Sequence, residues 1–186
     1  MIKYFDNILS PYLQDDLITM LNPRPPHGGY PLFFTPNLTG DFKNKNEFGF
    51  GSDFFSDGKL INHFGNRLLT PLYSFLNSQD IVLKEIIRGR LSLQLPRYGT
   101  TEPLPSSPHR DLDIPHYVAI YYVTDSDGDT IFYNDDMIEI KRVTPKKGRI
   151  VFFDGNILHS GSSCTKNIRV FLNYNFTINN EIRSRK

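Results

Sequence analysis

Two periodicities divide the chain. Leu60, Ile61, Phe64, Leu68, Leu69, Leu72, Phe75 and Leu76 recur at helical spacing and predict a helix over about 60–77. Earlier, Ser10-Pro11 followed by "YLQDDLITML" predicts an N-cap, a proline in the first turn and a short amphipathic helix ending near Leu21. Past residue 80 the period drops to two. "LKEIIRGRLSLQLPRY", "HYVAIYYVTD", "DTIFYN", "MIEIKRVTP", "GRIVFFDG" and "IRVFLNYNFTI" read as strands divided by Gly, Pro, Asp and Asn turns. The stretch 22–59 fits neither period. It is rich in Pro, Gly and Asn yet carries many aromatics, and it reads as long loops with one or two short strands packed partly on the core. Helices first and then six or more short strands imply an α+β domain: a double-stranded β-helix (jelly-roll) core over about 80–178. The N-terminal helices, within about 1–78, pack on one sheet. With no repeat or linker, 1–186 reads as one domain.

Composition changes this picture little. The 186 residues hold 21 basic and 20 acidic side chains, which argues against a general attraction to nucleic acid or an anionic membrane. The single Cys164 excludes an intrachain disulfide and fits a reducing compartment. The opening "MIKYFDNILSPYLQ" has neither a long apolar run nor a small-residue cleavage site, so a cytoplasmic location is expected. The glycosylation patterns at Asn37 and Asn175 are then coincidental.

The chemistry gathers at "PHRDLD" and "FDGNILHSG". Residues two apart on a strand share a face, so His109 and Asp111 are expected to project together. His159 follows an apolar strand and the Asp154-Gly155-Asn156 turn, which is expected to return it to the same barrel mouth. Two imidazoles and one carboxylate form the facial triad that leaves coordination sites open on Fe(II); zinc also accepts such a set. A role for Asp111 as a turn cap is the plainer alternative. In "NIRVFLNYNF", alternation puts Arg169, Phe171, Asn173 and Asn175 on the face opposite Val170, Leu172 and Tyr174. An arginine on a core strand needs solvent or an anion, and a guanidinium fork matches a carboxylate.

Together, "HRD" at 109–111, His159 and Arg169 ten residues later resemble the signature of the iron(II)- and 2-oxoglutarate-dependent dioxygenases. The nearest likeness is to the prolyl-4-hydroxylase-like group, supported by "LQLPRYG" and "IYYVTD", and it covers roughly residues 85–178. The resemblance implies that His109, Asp111 and His159 bind Fe(II), and that Arg169 and Tyr122 hold the distal carboxylate of 2-oxoglutarate. It places Tyr98 near the keto-acid end. Plain strand packing is the alternative for both tyrosines. Where the group often has Gly-Gly, this chain has Gly128-Asp129-Thr130. The implied reaction consumes O2 and 2-oxoglutarate, releases succinate and CO2, and hydroxylates a C–H, with ascorbate as an accessory reductant. Asp111 stands where halogenating relatives carry a small residue, so a hydroxylase is expected.

Substrate expectations are a peptide or protein side chain, prolyl first, or a small molecule such as a free amino acid. Asn173 and Asn175 are candidate substrate contacts, and the aromatics of 23–58 a candidate substrate cover. A nucleic-acid demethylase is disfavoured by the charge balance. A zinc hydrolase, or a metal-binding jelly roll without oxygenase activity, remains the reading from another class. Asp113 shares the face of His109 and Asp111 and is an alternative carboxylate ligand, with the family pattern favouring Asp111; His27, His63, His116, Cys164, the "PKKGR" turn and the terminal "RSRK" are read as structural or solvated.

Overall fold

Side-chain alternation and turn chemistry account for most of the elements in the computed structural model, which describes residues 1–21, 29–36, 48–61, 63–97 and 99–179. The order is β1 (Ile2–Phe5), α1 (Pro11–Leu21), β2 (Phe33–Thr35), β3 (Gly49–Ser56), β4 (Lys59–Leu60), α2 (Gly65–Ser78), β5 (Leu83–Gln94) and β6 (Tyr117–Tyr122). Then follow β7 (Thr130–Tyr133), β8 (Glu139–Val143), β9 (Ile150–Asp154), β10 (Leu158–Gly161) and β11 (Arg169–Ile178). The major sheet runs β1-β9-β6-β11-β5-β3-β2, with β4 on β3, and the minor sheet runs β10-β7-β8. The pairings within them are antiparallel. Two isolated bridges, Pro105 to Ser162 and His109 to His159, lay the 105–109 segment beside β10 as a rudimentary further strand. This is the expected jelly roll. No helix among the described residues is long and apolar enough to cross a membrane.

The second helix starts later than its periodicity predicts. Asp57 and Gly58 both have positive φ (51° and 72°), forming a tight hairpin that pairs Ser56 with Lys59, so Leu60 and Ile61 fall before the helix. The reading also missed β1, a four-residue edge strand on β9, and β10.

Each long strand of the major sheet has two faces with different fates. Ala119 and Tyr121 of β6, Ile150 and Phe152 of β9, and Val170, Leu172, Tyr174 and Phe176 of β11 point toward the helices. There they join Leu68, Leu72 and Phe75 in the main core. Val118, Ile120, Tyr122, Val151 and Phe153 point into the barrel and pack with Phe132 and Val143. On β11 and β5 the barrel face is polar instead: Arg169 and Asn173, then Arg88, Arg90, Ser92 and Gln94. One half of the barrel is therefore filled with hydrocarbon, and the other half holds a cavity.

Candidate metal centre and its cavity

His109 and His159 face each other across the isolated bridge, His109 N–H donating to His159 O at 2.9 Å and His159 N–H to His109 O at 3.0 Å. Their ring centroids lie 4.8 Å apart. Asp111 does not reach them by strand alternation, as the sequence suggested. It sits in a bend, and β6 begins only at Tyr117. The intervening Pro115 has no N–H to give a ladder. Cross-chain pairing with β10, rather than a shared strand face, assembles the group. Asp111 Oδ1 lies 3.8 Å from His109 Nε2 and 3.9 Å from His159 Nε2. These spacings are too long for hydrogen bonds and suit three donors around a common ion. The ligand atoms all lie within 4.8 Å of one another.

The protein orients these donors. Nδ1 of His109 lies 3.1 Å from Ser107 O, and Nδ1 of His159 lies 3.2 Å from Ile157 O. Each ring thereby donates Nδ1–H to a carbonyl and keeps the Nε2 lone pair free for a metal. Burial alone would raise the Asp111 pKa. The His159 imidazole, the Arg88 guanidinium at 3.5 Å, and the amides of Asn173 (3.0 Å) and Asn175 (2.8 Å) outweigh it and hold the carboxyl at about 2. Burial pushes His159 down to about 4. At neutral pH the site offers an ionised carboxylate and a neutral His159, the protonation states that metal binding requires. Removing a hydrogen bond that orients a ligating carboxylate typically lowers metal affinity about 10- to 100-fold. Asn175→Ala is expected to fall in that range when Fe(II) or Zn(II) uptake is titrated.

Arg169 is 2% exposed. Its Nη1 donates to Gln94 Oε1 (3.0 Å), its Nη2 to Thr130 Oγ1 (2.8 Å), and its guanidinium lies 4.5 Å from the Phe171 ring centroid. A Cβ at Gly161 would come within 2.6 Å of its Nη1, and one at Gly128 within 3.2 Å of its Cδ, so both glycines make room for the side chain. Among the described residues no carboxylate lies within ion-pair distance of it, and its Nε has no partner. Such a buried, uncompensated cation is costly until an anion arrives.

Arg169 and the three metal-site residues line one cavity of about 190 Å³, together with Phe48, Phe171 and Asn173. Tyr122 is fully buried and is not among the lining residues. Its hydroxyl donates to Thr130 Oγ1 at 2.7 Å, placing it behind the hydroxyl that meets Arg169. Tyr98 lies outside the described residues, as do His27, the terminal "RSRK" and most of the 22–47 stretch. The expectation that Asn175 meets substrate needs correcting. It is fully buried, with its amide on Asp111 and its oxygen accepting from Arg88 Nε at 3.0 Å, so it positions the carboxylate. Asn173 lines the cavity while also donating to Asp111. Asp113 is exposed and outside the donor cluster. His116 packs flat on Gly155 with Nδ1 2.7 Å from Ile114 O. His63 lies tilted against Phe64, with ring centroids 4.0 Å apart, and Cys164 is buried.

Sequence reasoning missed Arg88, Gln94 and Thr130. The signal for two of them was present: the polar alternation Arg88, Arg90, Ser92, Gln94 in β5 matches that of β11.

No protein-family model and no curated protein matches the chain. Solved structures do. A 2OG-Fe(II) oxygenase family oxidoreductase from Burkholderia pseudomallei superposes with a TM-score of 0.70 at 11% identity, covering 95% of this chain and 84% of that one. A Pseudomonas putida prolyl-4-hydroxylase gives 0.60 at 15% identity over 94% and 91%. A non-heme alpha-ketoglutarate-dependent epimerase from nogalamycin biosynthesis gives 0.62 at 13% over 95% and 77%. The chain shares the fold of these proteins.

Proposed function

We propose that the protein is an Fe(II)- and 2-oxoglutarate-dependent dioxygenase that hydroxylates an unactivated C–H. The observation that carries this reading is the coexistence, in one cavity, of an open three-donor metal site and a buried arginine that no carboxylate among the described residues neutralises. The donor set fits Fe(II): two imidazoles with the free nitrogen fixed and one ionised carboxylate, with the remaining coordination positions left to small ligands. When bound, the iron supplies the oxidative decarboxylation of 2-oxoglutarate to succinate and CO2 that is coupled to hydroxylation.

The chain's own residues supply position. His109, Asp111 and His159 hold the metal, and Asn173, Asn175 and Arg88 hold Asp111. Arg169 receives the distal carboxylate of 2-oxoglutarate on its fork, with Gln94 and Thr130 fixing the plane of the guanidinium and Tyr122 fixing Thr130. Phe171 covers the guanidinium and keeps water from it. A zinc hydrolase would use the same triad but has no need of a carboxylate clamp. Of the proteins similar in fold, one is described as a prolyl-4-hydroxylase and one as an epimerase of nogalamycin biosynthesis, and both a prolyl and a small-molecule substrate fit the reading. The lone buried Cys164 favours a reducing compartment such as the cytosol.

The test is anaerobic. Protein, Fe(II) and 2-oxoglutarate are expected to give the visible metal-to-ligand charge-transfer band of the chelate. Admitting O2 in the presence of ascorbate is then expected to yield succinate, followed by NMR. Absence of the band, with tight zinc binding instead, overturns the proposal.

A further inference from the structure

Five arginines line the cavity, Arg88, Arg90, Arg97, Arg110 and Arg169, against the single carboxylate of Asp111. The chain as a whole carries a net charge of only +1, so cationic side chains are concentrated here. Most have visible occupations. Arg88 serves Asp111 and Asn175. Arg110 donates to Asn156 O at 2.7 Å and to Asp135 at 3.0 Å, and Arg169 stands in the cosubstrate position.

Arg90 differs. Among the described residues its ion-pair partner is Asp53, at 3.5 Å, and the two form no hydrogen bond: Asp53 Oδ1 is buried without a hydrogen-bond partner. The two are an ion pair at that distance, but one without hydrogen bonds, so the N–H groups of the fork are not committed to it. Arg90 instead keeps its guanidinium over β3, where a Cβ at Gly51 would come within 2.7 Å of Nη2. Glycine at that position lets the cation lie against the sheet and face the cavity. The next cavity-facing residue along β5 is Ser92, which is 4% exposed, yet its hydroxyl has no hydrogen-bond partner among the described residues. The hydroxyl stands at the cavity wall with its donor uncommitted. Arg90 pairs across the sheet with Asn173, and Ser92 with Phe171, so both stand on β5, beside the β11 wall that carries the clamp and on the side toward β3.

We propose that Arg90 and Ser92 form a second anion site, which receives a carboxylate of the substrate, so that the molecule hydroxylated is a small organic acid. This rests on the oxygenase reading above and narrows its substrate class, away from a neutral prolyl side chain within a peptide. The guanidinium fork accepts both carboxylate oxygens, the Ser92 hydroxyl donates to one of them, and Phe48 and Phe171 supply apolar wall beside them.

The probes are phenylacetate and its neutral isostere phenylacetamide, titrated by calorimetry into protein loaded anaerobically with Fe(II) and 2-oxoglutarate. Wild type is expected to bind the acid about tenfold or more tightly than the amide. Arg90→Gln should abolish that preference. Arg90→Lys, which keeps the charge and loses the fork, and Ser92→Ala should each reduce it. Gly51→Ala should also reduce it by displacing the guanidinium with no change of charge. The charge-transfer band should persist in all four variants. Equal or undetectable binding of both probes by wild type overturns the proposal, as does a preference that survives Arg90→Gln. Acid binding lost in Arg169→Gln but kept in Arg90→Gln would place it at the clamp and also overturn it. Loss of the band in wild type itself is a different failure, that of the oxygenase reading.

Discussion

Replacing Arg169 with alanine is expected to abolish 2-oxoglutarate turnover while leaving metal uptake intact. The guanidinium is the one cation among the described residues that is both nearly sealed from solvent and without a carboxylate partner, and its removal strands the incoming carboxylate in a site that water barely reaches. Truncating one member of a buried, hydrogen-bonded charge pair costs about 2–5 kcal/mol of binding, a loss of roughly 30-fold at the least in cosubstrate affinity. None of the three metal donors hydrogen-bonds to Arg169; its partners are Gln94 and Thr130. Metal titration should therefore match wild type while the charge-transfer band and succinate formation disappear. His109→Ala is the contrasting case, since it should weaken metal binding and lose the band together. If Arg169→Ala lost metal and cosubstrate equally, the arginine would be a structural member of the barrel.

The largest effect on stability is expected at Gly89. It lies in β5 between Arg88 and Arg90, and the edge of the fully buried Phe54 ring rests on its backbone. A Cβ there would come within 2.3 Å of Phe54 Cε2 and 2.7 Å of Cζ. Phe54 has little room to retreat, because it packs edge-on against the buried Tyr174 with centroids 5.9 Å apart. In an open strand Gly→Ala would stabilise by roughly 0.5–1 kcal/mol through chain entropy. At Gly89 overpacking should reverse the sign, destabilising by about 1–3 kcal/mol and lowering Tm by about 2–4 °C for each kcal/mol. Urea and thermal unfolding read this directly. Phe54→Leu placed in the Gly89→Ala background should recover part of the loss, because the two changes act on one contact. A stabilised Gly89→Ala protein would show that Phe54 does not press on the strand.

Some of this was legible in sequence because it depends only on neighbours along the chain. In β11 the period of two put Arg169, Phe171 and Asn173 opposite Val170, Leu172 and Tyr174, and those faces are the ones observed. The same rule misled at His109 and Asp111, where a bend replaces the strand and the bridge to His159 does the gathering. Asn175, read as a substrate contact from its face alone, turned out to hold a carboxylate 64 residues away.

The sequence by itself determined that strands fill the chain past residue 80, which side chains share a face, and which residue types stand ready for a metal and an acid. The period of two, the turn residues and the donor chemistry are local properties. Only the tertiary structure decided which barrel half is filled with hydrocarbon and which holds the cavity. It alone showed that the imidazoles are aimed by the carbonyls of Ser107 and Ile157, that Gly128 and Gly161 make room for Arg169, and that Arg90 and Ser92 line the cavity beside the clamp. Those facts depend on which strands lie side by side, and that follows from packing two sheets against each other, which no single segment encodes.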